Sequence, residues 1–321
     1  MKDMKYMGRP EQVFGVEEMR LVGGKGDGMR MLNVRNAAGL EFYVSLDRCA
    51  DIPRLSVCGV NCGYMTACGF VAPAFYDKND FLRSFTAGFF TTCGLDNAGV
   101  PNEDAGESLP THGTAANIPA DRHAWWIEND EIHITAVVRD AALFAHKLLL
   151  EREYIVPLYK NEIRLIDRIT NIGSEEYPLE VLYHCNMGYP LLSEHAVVTI
   201  PSVSCVPRTP HAAEGFDDRL IMEKPQRGYE EMCFFHTFEG KSQASIYNPD
   251  VKTGVAISFD TAELPFFTEW KMMGEYDYVL GLEPGNCDPD GRAHMRERGL
   301  LEILQPDEVK THHVTFTFTK E

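Results

Sequence analysis

The stretch "HHVTFTFTK" (residues 312–320) decides the fold class, because apolar and polar side chains alternate strictly along it. Val314, Phe316 and Phe318 point to one side of an extended chain and the intervening threonines point to the other, which is the period of a half-buried strand. Similar segments, separated by polar or Gly/Pro turns, recur at 131–140, 161–173, 195–206 and 254–260. Many short strands at this spacing predict an all-β sandwich of mainly antiparallel sheets.

Helical signals are few, and only residues 79–90 and 288–304 suggest short helical turns. We find no internal repeat, low-complexity tract or linker-like shift in composition. Large all-β sandwiches of this length occur as one unit. We therefore expect residues 1–321 to form a single domain, with residues 1 to about 20 peripheral.

The charge balance limits the class of partner. The chain is 44% hydrophobic and carries a net charge of -18. Nucleic acids and anionic membranes require clustered Lys and Arg, so neither is an expected partner. No apolar run reaches the roughly 18 to 20 residues of a membrane helix. A small molecule is the expected partner, and a homo-oligomer stays possible.

The nine cysteines form an odd, scattered set, and no secretory signal is recognisable. Free thiols in a reducing cytoplasm are the simplest interpretation. Cys58, Cys62 and Cys68 approach a metal motif, but their spacing lacks the paired CxxC of a structural zinc site. The sequence therefore predicts no metal and no cofactor.

Two polar groups interrupt apolar runs. "VLYHCNMGYPLL" (181–192) places His184 and Asn186 among apolar residues, where both side chains need hydrogen-bond partners. Glu283 ends the apolar stretch 278–282 and precedes a Pro-Gly turn, so partial burial would raise its pKa toward that of a useful base. Each could instead be structural, as a satisfied core histidine or a carboxylate that caps a turn or pairs with an arginine.

A long loop is predicted over residues 91–123, which are rich in Gly, Pro, Asn and Asp. It contains His112 followed by Gly113, where glycine permits close approach of a ligand. Arg48 lies within a charged group at 47–54. The guanidinium N–H groups of Arg48 or of Arg83 could donate several hydrogen bonds to a ligand. Surface exposure or internal ion pairing would explain these charges equally well.

Five motifs in order resemble the galactose mutarotase-like superfamily, and more closely the aldose 1-epimerase-related domain of unknown function 4432. The resemblance covers most of the chain, and its motifs are "DRCADI" with "GVNCGYMT", "FTAGFFTTCGLDNAG", "THG" with "IPA", "LYHCNMGYPLL" and "EWKMMGEYDYVLGLEPGN". It implies a supersandwich with a sugar site on the concave face of the larger sheet. It also implies catalytic roles for His184, as the acid at the ring oxygen, and for Glu283, as the base at the anomeric hydroxyl.

The substrate-binding group is expected to comprise the supporting histidine His112 together with Arg48, Arg83, Asn186, Glu269 and Trp270. Trp270 is the preferred residue to cover the apolar face of a sugar. We expect an aldose 1-epimerase-like isomerase that needs no cofactor. Two alternatives stay open: a carbohydrate-binding protein without turnover, and an epimerase, isomerase or lyase acting on a modified or acidic sugar.

Overall fold

The computed structural model describes residues 4–321 and places about half of them in strands. In chain order the strands are β1 (Gly15–Arg20), β2 (Arg30–Arg35), β3 (Leu40–Ser45), β4 (Asp51–Val57), β5 (Val60–Asn61), β6 (Tyr64–Met65), β7 (Ala87–Gly88), β8 (Phe90–Leu95), β9 (Asn102–Asp104), β10 (Glu107–Leu109), β11 (Arg122–Glu128), β12 (Glu131–Ala141), β13 (Lys147–Pro157), β14 (Glu162–Asn171), β15 (Tyr177–Met187), β16 (Val197–Thr199), β17 (Ser204–Pro207), β18 (Met232–Thr237), β19 (Lys241–Asn248), β20 (Thr253–Asp260), β21 (Phe266–Met273), β22 (Tyr278–Gly285), β23 (Glu302–Leu304) and β24 (Val309–Lys320). The helices are α1 (Pro210–Glu214) and α2 (Arg292–Glu297), with 3₁₀ turns at Met4–Tyr6, Pro10–Gln12, Gly24–Gly26, Pro73–Phe75, Phe81–Arg83 and Ala115–Asn117.

Two large sheets form the molecule. The larger sheet has the order β1-β2-β3-β4-β8-β15-β22-β21-β18-β17, with β5 beside β4 and β23 beside β15. The smaller sheet has the order β11-β12-β13-β14-β24-β20-β19-β16, and two short ribbons pair β9 with β10 and β6 with β7. The strand pairs in both large sheets are antiparallel. The predicted all-β class is confirmed.

The alternation in β24 has the predicted effect on burial. Val314, Phe316 and Phe318 are buried, whereas the threonines between them face outward. One apolar cluster runs from Phe14 to Phe318 and lies between the two sheets. Burial of this apolar surface is the main driving force that holds one sheet against the other.

A charged group is enclosed between the sheets. Arg152 on β13 is fully buried, and it donates to Asp167 on β14 at 2.6 Å and to Asp51 on β4 at 2.7 Å. The Tyr183 hydroxyl on β15 donates to the same Asp167 at 2.9 Å. The charges near residue 50 therefore include an internal ion pair, which is one of the two structural explanations considered for them.

Several predicted boundaries differ from the structure. The segment 195–206 forms two short strands in different sheets, because the chain crosses from β16 to β17 around Pro201. The predicted loop 91–123 begins only at residue 96, since residues 90–95 form the buried strand β8. Both predicted helical turns are confirmed, as the 3₁₀ turn Phe81–Arg83 and as α2.

The N-terminal region is peripheral only in position. Residues Met1–Asp3 lie outside the described part of the chain, and β1 forms one edge of the larger sheet. Phe14 and Val16 nevertheless belong to the core. Across residues 4–321, the structure contains no helix that combines the length and the apolar character needed to cross a membrane.

Candidate active site

The central strand β15 positions His184. β15 lies between β8 and β22, and all eleven of its residues are buried. Successive side chains of a strand point to opposite faces. Because Tyr183 points toward Asp167 in the smaller sheet, His184 must point to the outer face of the larger sheet.

The neighbouring strand β22 brings Glu283 to the same face. Nδ1 of His184 lies 3.2 Å from Oε1 of Glu283, and both side chains are almost completely buried. The angles do not suit a direct hydrogen bond, and neither atom has another partner within residues 4–321. Two unsatisfied polar atoms at this depth are costly unless a ligand or water completes their contacts.

Gly281 makes the position of this carboxylate possible. A Cβ atom at residue 281 would lie 2.1 Å from Oε1 of Glu283 and 3.0 Å from Cβ of Trp270. Residues 281 and 283 share one face of β22, so the missing side chain leaves the space that the carboxylate occupies.

A cavity of about 250 Å³ opens above this pair. Its walls combine a cluster of polar side chains with an apolar side formed largely by the segment 81–101. The lining residues are Phe81, Leu82, Phe85, Gly99, Val100, Pro101, Thr111, His112, His184, Arg208, Glu231, Cys233, Thr268, Trp270, Glu283 and Pro289.

The loop after β8 positions His112. Its backbone has a φ of 56°, and Nδ1 accepts a hydrogen bond of 3.1 Å from the amide of Gly99. That bond places the ring proton of neutral His112 on Nε2. The His112 ring centre lies 5.4 Å from that of His184, and Trp270 lies at 5.3 Å from His184.

The glycine beside His112 serves the loop itself. Gly113 has a φ of 67°, and a Cβ there would come within 2.3 Å of the Gly94 carbonyl and 2.5 Å of Asp96. The close approach predicted for this glycine is therefore an approach of backbone to backbone.

Burial keeps both histidines neutral. It lowers the pKa of His184 to about 3, and the nearby His112 contributes to the lowering. It lowers the pKa of His112 to about 4, with a smaller contribution from the positive charge of Arg208. The charged form of imidazole is disfavoured in such a site because it loses its hydration.

Burial acts on Glu283 in the opposite direction. It raises the pKa of Glu283 well above its ordinary value, the charge of Glu231 raises it further, and Arg208 partly offsets the rise. In the unliganded cavity, burial therefore disfavours charge on both members of the pair, through a lowered pKa of His184 and a raised pKa of Glu283.

The rim of the cavity carries further polar groups. Trp270 donates from Nε1 to Oε2 of Glu231 at 2.7 Å, which fixes the indole ring beside His184. Arg208 donates from Nε to Oδ1 of Asp290 at 2.7 Å. Both pairs lie where they could contact hydroxyl groups of a bound ligand.

Only some of the residues predicted for the site meet in the cavity. His184, Glu283, His112 and Trp270 all line it. Arg48 does not: its buried guanidinium donates to the carbonyls of three loop segments, at Ala116, Val71 and Ser84. It ties these loops together and does not line the cavity.

Arg83, Asn186 and Glu269 also lie outside the cavity lining. Arg83 is exposed and pairs with Asp80, whereas its neighbours Phe81, Leu82 and Phe85 form the cavity wall. Asn186 is fully buried two residues after His184 on β15, and it donates to the His184 carbonyl at 3.0 Å. It supports the strand that carries the histidine.

Glu269 is excluded from the cavity by strand geometry. It precedes Trp270 on β21, so the two side chains must point to opposite faces. Glu269 instead accepts a hydrogen bond of 3.0 Å from His236 on the other face. Because consecutive side chains of a strand point to opposite faces, Glu269 and Trp270 cannot both contact one ligand in the cavity. The same alternation places Thr268 on the cavity face together with Trp270.

Sequence reasoning missed Arg208, Glu231, Cys233 and Thr268. The alternation of side chains in β21 would have predicted Thr268 as a cavity residue, because it shares a face with Trp270. The other three come from β18 and the segments around it, which reach the cavity only through the pairing of β18 with β21.

One group outside the cavity has the composition of a metal site. Ligand atoms of Asp288, Asp290 and His294 lie within 4.8 Å of one another. Asp288 already pairs with Arg298, and Asp290 pairs with Arg208. Arginines within the chain therefore neutralise both carboxylates.

Comparison with known proteins assigns the family. The sequence profile of a domain of unknown function (DUF4432) matches residues 26–318. The chain belongs to the DUF4432 family. A crystal structure from Klebsiella pneumoniae, whose protein carries the provisional description aldose 1-epimerase, superposes with a TM-score of 0.90 at 26% identity, covering 96% of this chain and 84% of that one. No curated protein matches this DUF4432 chain at a significant level.

More distant structures share the fold. A galactose mutarotase-like protein from Clostridium acetobutylicum gives a TM-score of 0.70 at 14% identity, covering 97% of the DUF4432 chain and 100% of its own. A galactose 1-epimerase from Lactobacillus acidophilus gives 0.66 at 14% identity, with coverages of 96% and 100%. The architecture of this DUF4432 protein is thus the galactose mutarotase-like β-sandwich.

Proposed function

We propose that this protein is an aldose 1-epimerase-like isomerase that interconverts the anomers of a reducing sugar. The observation that carries the proposal is the contact of 3.2 Å between His184 and Glu283 at the base of a cavity. The description of the Klebsiella pneumoniae relative as an aldose 1-epimerase supports the same reaction class. A volume near 250 Å³ lies below the range of about 300–1,000 Å³ typical of drug-sized ligands, and it suits one sugar ring.

Exchange of anomers requires one acid and one base. The bond between the anomeric carbon and the ring oxygen breaks as the ring oxygen gains a proton, and the anomeric hydroxyl loses its proton as the carbonyl forms. Rotation of the open aldehyde and the reverse proton transfers then close the ring on the other face. Positioned acids and bases each contribute about 10² to 10⁴ in rate.

The pair of His184 and Glu283 holds the single proton that this reaction needs. With the proton on His184, the histidine is the acid at the ring oxygen and Glu283 is the base at the anomeric hydroxyl. Burial opposes charge on both groups, which favours the same proton on Glu283 in the unliganded site. Transfer of that proton across the contact to Nδ1 of His184 would prepare the acid and the base together.

The remaining cavity residues would bind the sugar. Trp270 presents an indole ring that could cover the apolar face of the sugar, and Glu231 holds the ring in place. Arg208 can donate to hydroxyl oxygens with the nitrogens that Asp290 leaves free. His112 can donate from Nε2, because its Nδ1 is occupied by Gly99.

Proton NMR of freshly dissolved single anomers tests the proposal. A panel of aldoses and sugar acids is followed with the wild-type protein, with the Glu283→Gln variant and with buffer alone. We expect faster anomer exchange for at least one sugar, and we expect the variant to lose that acceleration. Saturable binding without acceleration would identify a binding protein, and a new product would identify a different sugar reaction; either result would overturn the proposal.

A further inference from the structure

The strand β11 is an open edge of the smaller sheet. It pairs with β12 on one side, and within residues 4–321 no strand pairs with its other side. An open edge presents a row of unpaired amide and carbonyl groups, which another strand can join. Proteins usually protect such edges with prolines, charges, bulges or very short strands.

The other three sheet edges have such protection. β1 carries adjacent glutamates, Glu17 and Glu18, in its centre. β16 has only three residues, and its Val197 is bridged to Ile221. β17 has four residues and ends at Pro207.

β11 carries formal charges only at its two ends, at Arg122 and Glu128. Its seven residues, "RHAWWIE", pair with β12 in an unbroken register from Arg122 to Glu128 and contain no proline. Trp125 and Trp126 are 37% and 38% exposed, although buried aromatic side chains normally dominate core and interface energetics. Glu18 of β1 accepts from Nε1 of Trp125 at 3.4 Å and lies 3.3 Å from Nε2 of His123, so it contacts two side chains of β11. Within residues 4–321, no strand pairs with the outward backbone groups of β11, and two partly exposed tryptophans beside such an edge indicate a strand that is completed by a partner.

The sequence of β11 is complementary to itself. In an antiparallel pair centred on Trp125, Arg122 lies opposite Glu128 of the second copy, and this pair occurs twice. His123 then lies opposite Ile127, and Trp125 lies beside its own copy. Opposite charges across a strand pair stabilise it, whereas like charges destabilise it.

The backbone directions agree with this register. Asn129 and Asp130 form a two-residue hairpin turn with φ values of 50° and 60°, so the flanking Glu128 and Glu131 are a hydrogen-bonded pair. Alternate residues of β11 therefore direct their backbone groups toward β12. The groups of His123, Trp125 and Ile127 point outward, as a hydrogen-bonded pair of Trp125 with its own copy requires.

The charged side chains at both ends of β11 are free to pair with a second copy of the strand. Arg122 and Glu128 are exposed, and Arg122 forms no ion pair within the described residues. Glu128 accepts only the indole N–H of Trp126. We propose that β11 pairs with β11 of a second copy of this chain, in the antiparallel register centred on Trp125, and joins two smaller sheets across a two-fold axis.

Charge reversal tests both the partner and the register. Sedimentation velocity of the wild-type protein is expected to show a species of twice the chain mass. Arg122→Glu alone and Glu128→Arg alone place like charges opposite each other twice, and each should weaken the dimer by about tenfold or more. The double variant, Arg122→Glu with Glu128→Arg, should restore the wild-type dissociation constant.

The matched control for Arg122→Glu is Arg227→Glu, which makes the same change in net charge at an exposed site whose side chain is 89% accessible. It should leave the dimer unchanged. A monomeric wild-type protein, single variants that dimerise normally, or a double variant that stays monomeric would each overturn the proposal. Circular dichroism confirms that every variant is folded.

A second test does not depend on charge. Hydrogen-bonded antiparallel partners have Cα atoms about 5.5 Å apart, within the range that a disulfide spans. Oxidation of Trp125→Cys should therefore link two chains through residue 125. Trp126→Cys is the control, because Trp126 lies opposite Ala124 of the second copy; linkage at 126 but not at 125 would reject the register.

Discussion

The two-residue spacing of Gly281 and Glu283 decides how the proposed base is held. The absent side chain of residue 281 leaves room for the Glu283 carboxylate to lie against β22 and within 3.2 Å of His184. The carboxylate is thereby buried, which raises its pKa. The chemistry of a single glutamate thus depends on a neighbouring glycine.

Gly281→Ala tests this dependence. The added Cβ would overlap Oε1 of Glu283, so the carboxylate must move, and a displacement of this size can cost about 100-fold in rate. We expect a folded variant with a much lower kcat for anomer exchange. Gly274→Ala is the control, because its added Cβ would overlap only the flexible end of Met272 and would lie at ordinary contact distance from Asp277. Equal activity of the two variants would show that Glu283 does not need this position.

The pH dependence of kcat/KM tests the one-proton state. Below the pKa of His184, lowered to about 3, the pair holds two protons; above the raised pKa of Glu283 it holds none. Activity should therefore stay level as the pH falls from 7.5 to 5.5, and it should decline only on the alkaline side. The measurement is the enzymatic exchange rate after subtraction of the buffer rate. An acid limb near 6.5, the ordinary value for histidine, would show that His184 titrates as an exposed group.

At the scale of elements, sequence patterns predicted where strands occur better than they predicted which side chains share a face of a strand. The alternation in β24 was sufficient to predict it as a half-buried strand. His184 and Glu283 were predicted together only through the resemblance, because β15 and β22 are about a hundred residues apart and their pairing is not visible in local sequence. Glu269 was assigned to the cavity although its neighbour Trp270 already occupied that face.

The neighbours Glu269 and Trp270 provide a test at this scale. Trp270→Ala removes the proposed cover of the sugar ring and should raise KM roughly tenfold. Glu269→Gln keeps the shape of a side chain that faces the opposite side of β21, so kcat/KM per folded molecule should stay within about twofold. Activity assays measure the change in KM and kcat/KM, and thermal unfolding shows whether each variant is still folded. A large loss of kcat/KM in a folded Glu269→Gln protein would place Glu269 in the reaction after all.

At the scale of the whole molecule, charge as well as apolar contact joins the sheets. Arg152 is fully buried, and it connects β13 and β14 of the smaller sheet to β4 of the larger one through Asp167 and Asp51. Composition and periodicity predicted the sandwich but not this ion pair. Asp51 and Arg152 are about a hundred residues apart, and the charges near residue 50 would have suited a surface equally well.

Arg152→Leu should strongly destabilise the fold. Removal of one partner leaves two buried carboxylates without their counter-charge, which costs about 3–5 kcal/mol of unfolding free energy. Urea denaturation measures the loss. Arg168→Leu on β14 is the control, because its side chain is exposed and a substitution there should change stability by no more than about 0.5 kcal/mol. Similar stabilities for the two variants would contradict the role of Arg152 between the sheets.

The most direct test of the central claim is a double-mutant comparison of anomer exchange. The rates of His184→Asn, Glu283→Gln and the double variant are measured by proton NMR on the sugar that the wild-type protein accelerates. Residues that share one proton act as a unit, so we predict that each single variant loses nearly as much activity as the double variant. A folded single variant that retains wild-type exchange, or losses that add independently, would contradict the account.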